Sequence, residues 1–121
     1  MSDDVNPVPI VMEDIMALAA RVDELEWQPF RDGVRLYQIY GTMGAPGPSA
    51  CLLRFEVGAM VPRHAHTGYE HIIVLDGGQT DDRGHYSAGT VLISPPRSDH
   101  AIISEEGCLI LAIYQSQVSF S

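Results

Sequence analysis

Between residues 64 and 71 the chain reads HAHTGYEH, which places three of its five histidines and a glutamate in eight positions. Imidazole nitrogens with one carboxylate form a donor set for divalent transition metals, and one too rich in nitrogen for calcium or magnesium. Alternate side chains of a strand share a face, so His64 and His66 project together with Ala65 opposite. Thr67-Gly68 suits a turn. If Glu70 then opens the next strand facing inward, Ile72 and Val74 face inward with it, and His71 faces the other way. That parity leaves His71 out of the site. The fourth partner has to come from a distant segment. His100 ends the loop SPPRSD and begins HAIIS, a strand start that a closing barrel can bring beside His64 and His66. His85, in a polar hairpin, lacks that placement and is expected on the surface. The expected cofactor is one divalent transition metal per chain: iron, zinc, manganese or nickel. A metal favouring six ligands would keep positions open for water, oxygen or a chelating substrate. Zinc, favouring four, could be saturated by the protein.

The scaffold that must converge these segments reads as strands. Residues 34–40 (VRLYQIY), 50–57, 62–66, 70–76, 78–82, 85–87, 89–94, 100–104 and 108–115 are short runs separated by Gly, Pro and Asp punctuation. Many short strands at such spacing predict an all-β sandwich or barrel. EHIIVL, TVLI and CLILAI are almost continuously apolar, which predicts cover on both faces. Ahead of them, residues 12–22 place Met12, Ile15, Met16, Ala19 and Val22 at helical spacing. The expected organisation is an N-terminal segment, 1–30, packing on a single β-barrel domain, 31–121. Trp27 and Phe30 are expected to cap a barrel end.

Composition sets the outer limits. At 121 residues the chain is one domain. Its formal net charge is -9, with seven basic residues, all of them arginine. A uniformly acidic chain offers no footprint for phosphate backbones, so nucleic acid is not an expected partner. Without lysine there is no Schiff-base chemistry. No apolar run is long enough to span a bilayer, and the acidic start MSDDVNPVP lacks the basic region of a secretory signal, so the expected location is the cytoplasm. Cys51 and Cys108 sit in apolar stretches and read as reduced core residues.

From Gly58 the spacing becomes specific. Gly58, five residues, His64, one residue, His66, three residues, Glu70, six residues and Gly77 match the first motif of the cupin superfamily without a gap. Gly89, five residues, Pro95 and then His100 resemble its second motif. Two positions depart from it: Arg97 and Ser104 stand where glycine and asparagine are usual. Arg97 either alters the turn or aims a guanidinium at the barrel mouth. The stretches LEWQPFRDGVRLYQIYG, GQTDDRGHYSAGT and SPPRSDHAIISEEGC resemble the cupin domain of ChrR-type zinc-binding anti-sigma factors. Stand-alone iron dioxygenases that cleave diketones are a further likeness.

The resemblance implies a single jelly-roll barrel (a double-stranded β-helix) with a short N-terminal helical segment, with His64, His66, Glu70 and His100 as metal ligands, and pairing into a homodimer. Residues 1–30 contain neither histidine nor cysteine, so the implied zinc-holding, sigma-binding helical domain is not carried over. Arg54, Tyr69 and Arg97 are candidate substrate-lining residues, each with a surface role as the ordinary alternative. Two functions follow. One is an iron-type dioxygenase or related enzyme acting on a small chelating molecule such as a diketone. The other is a non-catalytic metal- or ligand-binding sensor of the ChrR type. Fold does not choose between them.

Overall fold

A computed structural model describes residues 7–120; the acidic residues 1–6, which weighed against a secretory signal, and residue 121 lie outside the described residues. Ten strands follow one another: β1 (Gln28–Arg31), β2 (Val34–Tyr40), β3 (Ser49–Phe55), β4 (Ala59–His66), β5 (Glu70–Asp81), β6 (Gly84–Ser87), β7 (Val91–Ser94), β8 (Asp99–Ser104), β9 (Cys108–Tyr114) and β10 (Val118–Phe120). They hydrogen-bond in the order β1-β2-β3-β9-β5-β8-β4-β10, with β6 and β7 also on β5. The sheet curls on itself as a cupin barrel, as the strand pattern and motif spacing led one to expect.

One strand ties the two walls together. Glu70 to Gly77 of β5 pair with β9, and Glu70 to Ile73 also with β7. Beyond them, Gly78 to Asp81 pair with β6, and Thr80 meets Ile103 of β8. The sequence reading divided this strand in two at Gly77-Gly78. In the structure the chain slips register between Val74 and Asp76 instead of ending. Gly77 makes that continuation possible. Its φ of 69° is left-handed, and a side chain there would run into the carbonyl oxygen of Gly107.

Burial follows the strand alternation. Val34, Leu36, Leu53, Phe55, Ile72, Val74, Ile110 and Ala112 fill the barrel. On the outer face Leu52, Leu75 and Leu109 form a second cluster under the N-terminal segment. Central strands covered on both faces therefore read as continuous apolar runs. β7 does not follow that rule. Its Val91 and Ile93 are more than half exposed, because nothing among the described residues covers the outer side of this edge strand.

The helix is a 3₁₀ helix, Ile15–Glu24, broken at Arg21 where φ falls to -127°. Three residues per turn put Ile15 and Leu18 in one row, and Met12, ahead of the helix, packs on the same cluster. Ala19 before the break, and Val22 and Leu25 after it, continue the contact with the outer cluster. Leu18 is thus the buried residue of the helix, whereas Met16, placed on the apolar face by an α-helical reading, is exposed. Trp27 joins this outer cluster and donates its indole N–H to the Val22 carbonyl at 2.7 Å, while Phe30 packs on the barrel interior. Cys51 and Cys108 are free and buried, and burial pushes their thiols up to about 12 and about 11.

Arg97 keeps the backbone of the glycine it replaces, with φ 73°. Its N–H donates to the His66 carbonyl at 2.8 Å, so the turn between β7 and β8 is pinned to the end of β4. A left-handed non-glycine residue costs about 1–2 kcal/mol. Glycine returns about 0.4–1 kcal/mol of that as unfolded-chain entropy. Arg97→Gly should therefore gain about 0.5–1 kcal/mol in urea unfolding with unchanged metal content. A loss of stability would show that the guanidinium, not the turn, is what matters at this position.

Candidate metal centre

Three neighbouring strand starts and ends build the site. β4 carries His64 and His66 on its inner face, and Ala65 points away. β8 lies antiparallel to β4 in a register that sets His100 directly opposite His64. That pairing needs the irregularity between Val61 and His64, which shifts the last turn of β4 into line. Glu70 opens β5 from the opposite wall, across from Tyr114 of β9. One ligand atom from each of His64, His66, Glu70 and His100 lies within 4.8 Å of the other three, and all four residues are buried. The cluster could hold a metal ion.

The histidines are fixed by what their other nitrogens do. His64 Nδ1 donates to the Pro62 carbonyl at 2.9 Å. His66 Nδ1 faces the Ser98 carbonyl at 3.1 Å and its hydroxyl at 2.9 Å. His100 Nδ1 donates to Asp81 Oδ2 at 3.1 Å. A carbonyl or carboxylate can only accept, so each Nδ1 carries the proton and each neutral Nε2 presents a lone pair. Those lone pairs meet: His64 Nε2 and His100 Nε2 are 3.1 Å apart. His66 Nε2 and Glu70 Oε1 are 2.8 Å apart, yet neither has a partner in hydrogen-bonding geometry. Close acceptors without a donor between them are what a shared cation requires. Ligands about 2.0–2.1 Å from one ion lie about 2.9 Å apart at right angles and about 4.1 Å apart when opposite. The pairs above match the first distance, and His100 Nε2 to Glu70 Oε1, at 4.0 Å, matches the second.

The local electrostatics differ from ring to ring. Burial pushes the His64 imidazole below its ordinary value. Burial acts the same way on His66, but the Glu70 carboxylate beside it leaves that ring raised. Asp81 is pushed up by burial and brought back below its ordinary range by the Arg83 N–H, His100 and the Tyr86 hydroxyl. It is therefore a carboxylate wherever His100 is a ligand. Tyr114 is held well above its ordinary range by burial and by Glu70, so its phenol keeps its proton.

The remaining candidates lie elsewhere. Arg54 shares the outer face of β3 with Leu52 and reaches Asp23 at 3.4 Å, on the far side of the barrel wall from the histidines. Tyr69 is exposed and stacks at 6.3 Å on His71, which faces outward. The Arg97 side chain is exposed. His85 is also on the surface, paired with Glu106 at 3.1 Å. Sequence reasoning did not find Asp81, Ser98 or Phe120. Asp81 is hidden by the register slip in β5, which reverses the inward parity counted from Glu70. Only knowledge of the slip would have aimed it at His100.

Two variants separate holding the metal from orienting a ligand. His66→Ala removes a donor and should abolish stoichiometric metal by elemental analysis, with a lower melting temperature, because an ion that binds only the folded chain stabilises it. Asp81→Asn keeps every donor but loosens His100, and should weaken affinity in a chelator competition by about 10–100-fold. Unchanged affinity in Asp81→Asn would mean that the His100 ring is oriented by packing alone.

Comparison with known proteins follows the same lines. The family model described as the ChrR cupin-like domain matches residues 16–118. The anti-sigma-E factor ChrR of Cereibacter sphaeroides is 31% identical over 103 residues, which span 84% of this chain and 47% of that protein. The chain thus spans about half the length of its curated relative. The crystal structure of Rhodobacter sphaeroides SigE in complex with the anti-sigma ChrR superposes with a TM-score of 0.70 at 25% identity, covering 93% of this chain and 71% of that one. An acetylacetone dioxygenase from Acinetobacter johnsonii shares the fold alone, with a TM-score of 0.72 at 9% identity over 99% of this chain and 80% of that one. With converging motif, barrel and donor cluster, the chain belongs to the ChrR cupin-like domain family.

Proposed function

We propose that this chain is a metal-holding sensor module: His64, His66, Glu70 and His100 bind one divalent transition ion, and the centre responds to very small reactants. The observation that carries this reading is the space beside the ligands. A cavity of about 30 Å³ touches His64 and Glu70 and is otherwise walled by apolar side chains and Tyr114. Such a volume takes about one or two water-sized molecules, and a diketone does not fit. When bound, the ion supplies a Lewis-acid or redox centre according to its identity.

The chain's own residues do the rest. Pro62, Ser98 and Asp81 hold the Nδ1 protons, the apolar wall excludes bulk water, and Tyr114 stands at Glu70 with its proton retained. Apart from His64, Glu70 and Tyr114, no residue lining the cavity has a proton to give or take. The likeness to ChrR, an anti-sigma factor, supports a regulatory role, with a protein partner as the receiver of the signal. A dioxygenase of a small chelating substrate is the second reading, favoured by donor spacing that fits an octahedral ion such as iron(II).

No helix among the described residues is long and apolar enough to cross a membrane, in keeping with a cytoplasmic module. A homodimer is supported by the outer sheet face around Tyr40, Tyr69, Ile93 and Ile113, a broad groove lined without a single Asp, Glu or Arg. A monomer in sedimentation equilibrium would remove that part of the reading.

Elemental analysis of protein purified without added metal should find one ion per chain. The iron(II)-loaded protein should consume no oxygen with a panel of diketones and hydroxyketones. Oxygen uptake with any of them would replace the sensor reading with the dioxygenase one.

A further inference from the structure

The small cavity beside the metal ligands has one wall unlike the others. Phe55, Ile72 and Ile110 belong to long central strands and are almost wholly buried. Phe120 also lines the cavity, yet it is 45% exposed and belongs to β10, a three-residue strand at the end of the sheet order. β10 lies against the ligand strand itself, with Val118 opposite His66 and Phe120 opposite His64. The Phe120 ring sits 5.5 Å from the His64 ring, tilted by 49°. One ring therefore has the cavity and a ligand on one side and solvent on the other.

Two contacts hold it there. The Arg31 guanidinium lies 4.9 Å over the Phe120 ring and 5.3 Å over Phe30, which also lines the cavity. Each such contact is a weak attraction where solvent reaches it. Among the described residues Arg31 is partly buried yet has no carboxylate within 4 Å, and Arg21, the other partly buried arginine without one, turns to the Glu13 and Asp14 carbonyls instead. In a chain with sixteen acidic residues, a half-buried arginine that pairs with rings instead of carboxylates is placed for the rings. The Thr67 hydroxyl donates to the Gln117 carbonyl and anchors the start of the strand.

We propose that Phe120, clamped by Arg31, is the residue that decides what reaches the metal centre: it excludes bidentate oxygen chelators of diketone size and passes only water-sized molecules. The inference rests on the proposed metal-holding role for its consequence, but the closure itself is a property of the chain with or without the ion. Replacing Phe120 with alanine removes a phenyl ring from a wall that faces solvent, so the cavity opens outward rather than becoming a sealed void.

Two measurements on the full-length chain test it. In the first, zinc-loaded wild type and Phe120→Ala are titrated with acetylacetone and with cyanide by calorimetry. Acetylacetone should bind Phe120→Ala at least about tenfold more tightly than wild type, and cyanide should bind both alike. Arg31→Gln should fall between them. In the second, metal-free proteins are treated with diethyl pyrocarbonate, and carbethoxylation of His64 is followed by mass spectrometry. The rate should rise about tenfold or more in Phe120→Ala and remain at the wild-type value in Phe120→Trp. Equal acetylacetone affinity and equal labelling in wild type and Phe120→Ala would overturn the proposal. If neither protein holds zinc, the metal-holding reading fails by itself, and the labelling arm still decides the closure. Should Phe120→Ala fail to fold, Phe120→Leu takes its place in both arms, with the same outcomes in smaller measure.

Discussion

Three imidazole lone pairs and a carboxylate pressed together inside an apolar barrel make a repulsive object. A buried acceptor left without a donor costs about 1–3 kcal/mol. Four of them at one point would consume much of the roughly 5–15 kcal/mol by which a domain of this kind is stable. A divalent cation turns the same arrangement from cost to gain, since binding energy at a site that exists only in the folded chain becomes folding energy. The acceptors behind the histidines sharpen the conflict: with Pro62, Ser98 and Asp81 holding the Nδ1 protons, no neutral ring can relieve it by moving its proton to Nε2, and only a second proton, which Glu70 favours on His66, competes with a cation. The surrounding fold is best understood as what enforces this geometry.

That enforcement depends on register. Because side chains alternate along a strand, a slip of one residue would send His64 and His66 outward together. Two irregularities set the phase. One, between Val61 and His64, aligns His64 with His100. The other, between Val74 and Asp76, lets one strand serve both walls, presenting Glu70 to the cluster from its first residue and Asp81 to His100 from its last. Gly77 permits the second by accepting a backbone that other residues resist and a contact that leaves no room for a side chain. A ligand and the group that orients another ligand are in this way carried by a single strand.

The division between what could and could not be read in the residues follows the same physics. Alternation and spacing are local, so the ligand face of β4, the inward Glu70 and the outward His71 were visible in HAHTGYEH. The barrel was visible in the short apolar runs and their punctuation. What depends on irregular pairing was hidden. Asp81 sits beyond a register slip that no periodicity announces, and β10 is three residues of unremarkable sequence whose significance comes only from lying beside His64. The helix shows a subtler failure. Its apolar residues fit both a three-residue and a 3.6-residue repeat, and contact with the outer leucines selected the tighter one, burying Leu18 and exposing Met16.

The centre and its mouth are built to different standards. The four cluster residues stand on paired strands, and a backbone or side-chain acceptor fixes each histidine ring. The wall toward solvent is made from a terminal strand, an exposed ring and a guanidinium whose attraction to that ring is weak. Low local stability is where proteins place the parts that open. With an ion bound, a rigid donor set behind a lightly held aromatic wall would keep the ion's surroundings constant while leaving access adjustable by substitutions that never touch the four cluster residues. That separation lets one barrel serve sensing or catalysis: the donor geometry can be the same in both, and the difference lies in how much of the outer wall stands between the ion and the solvent.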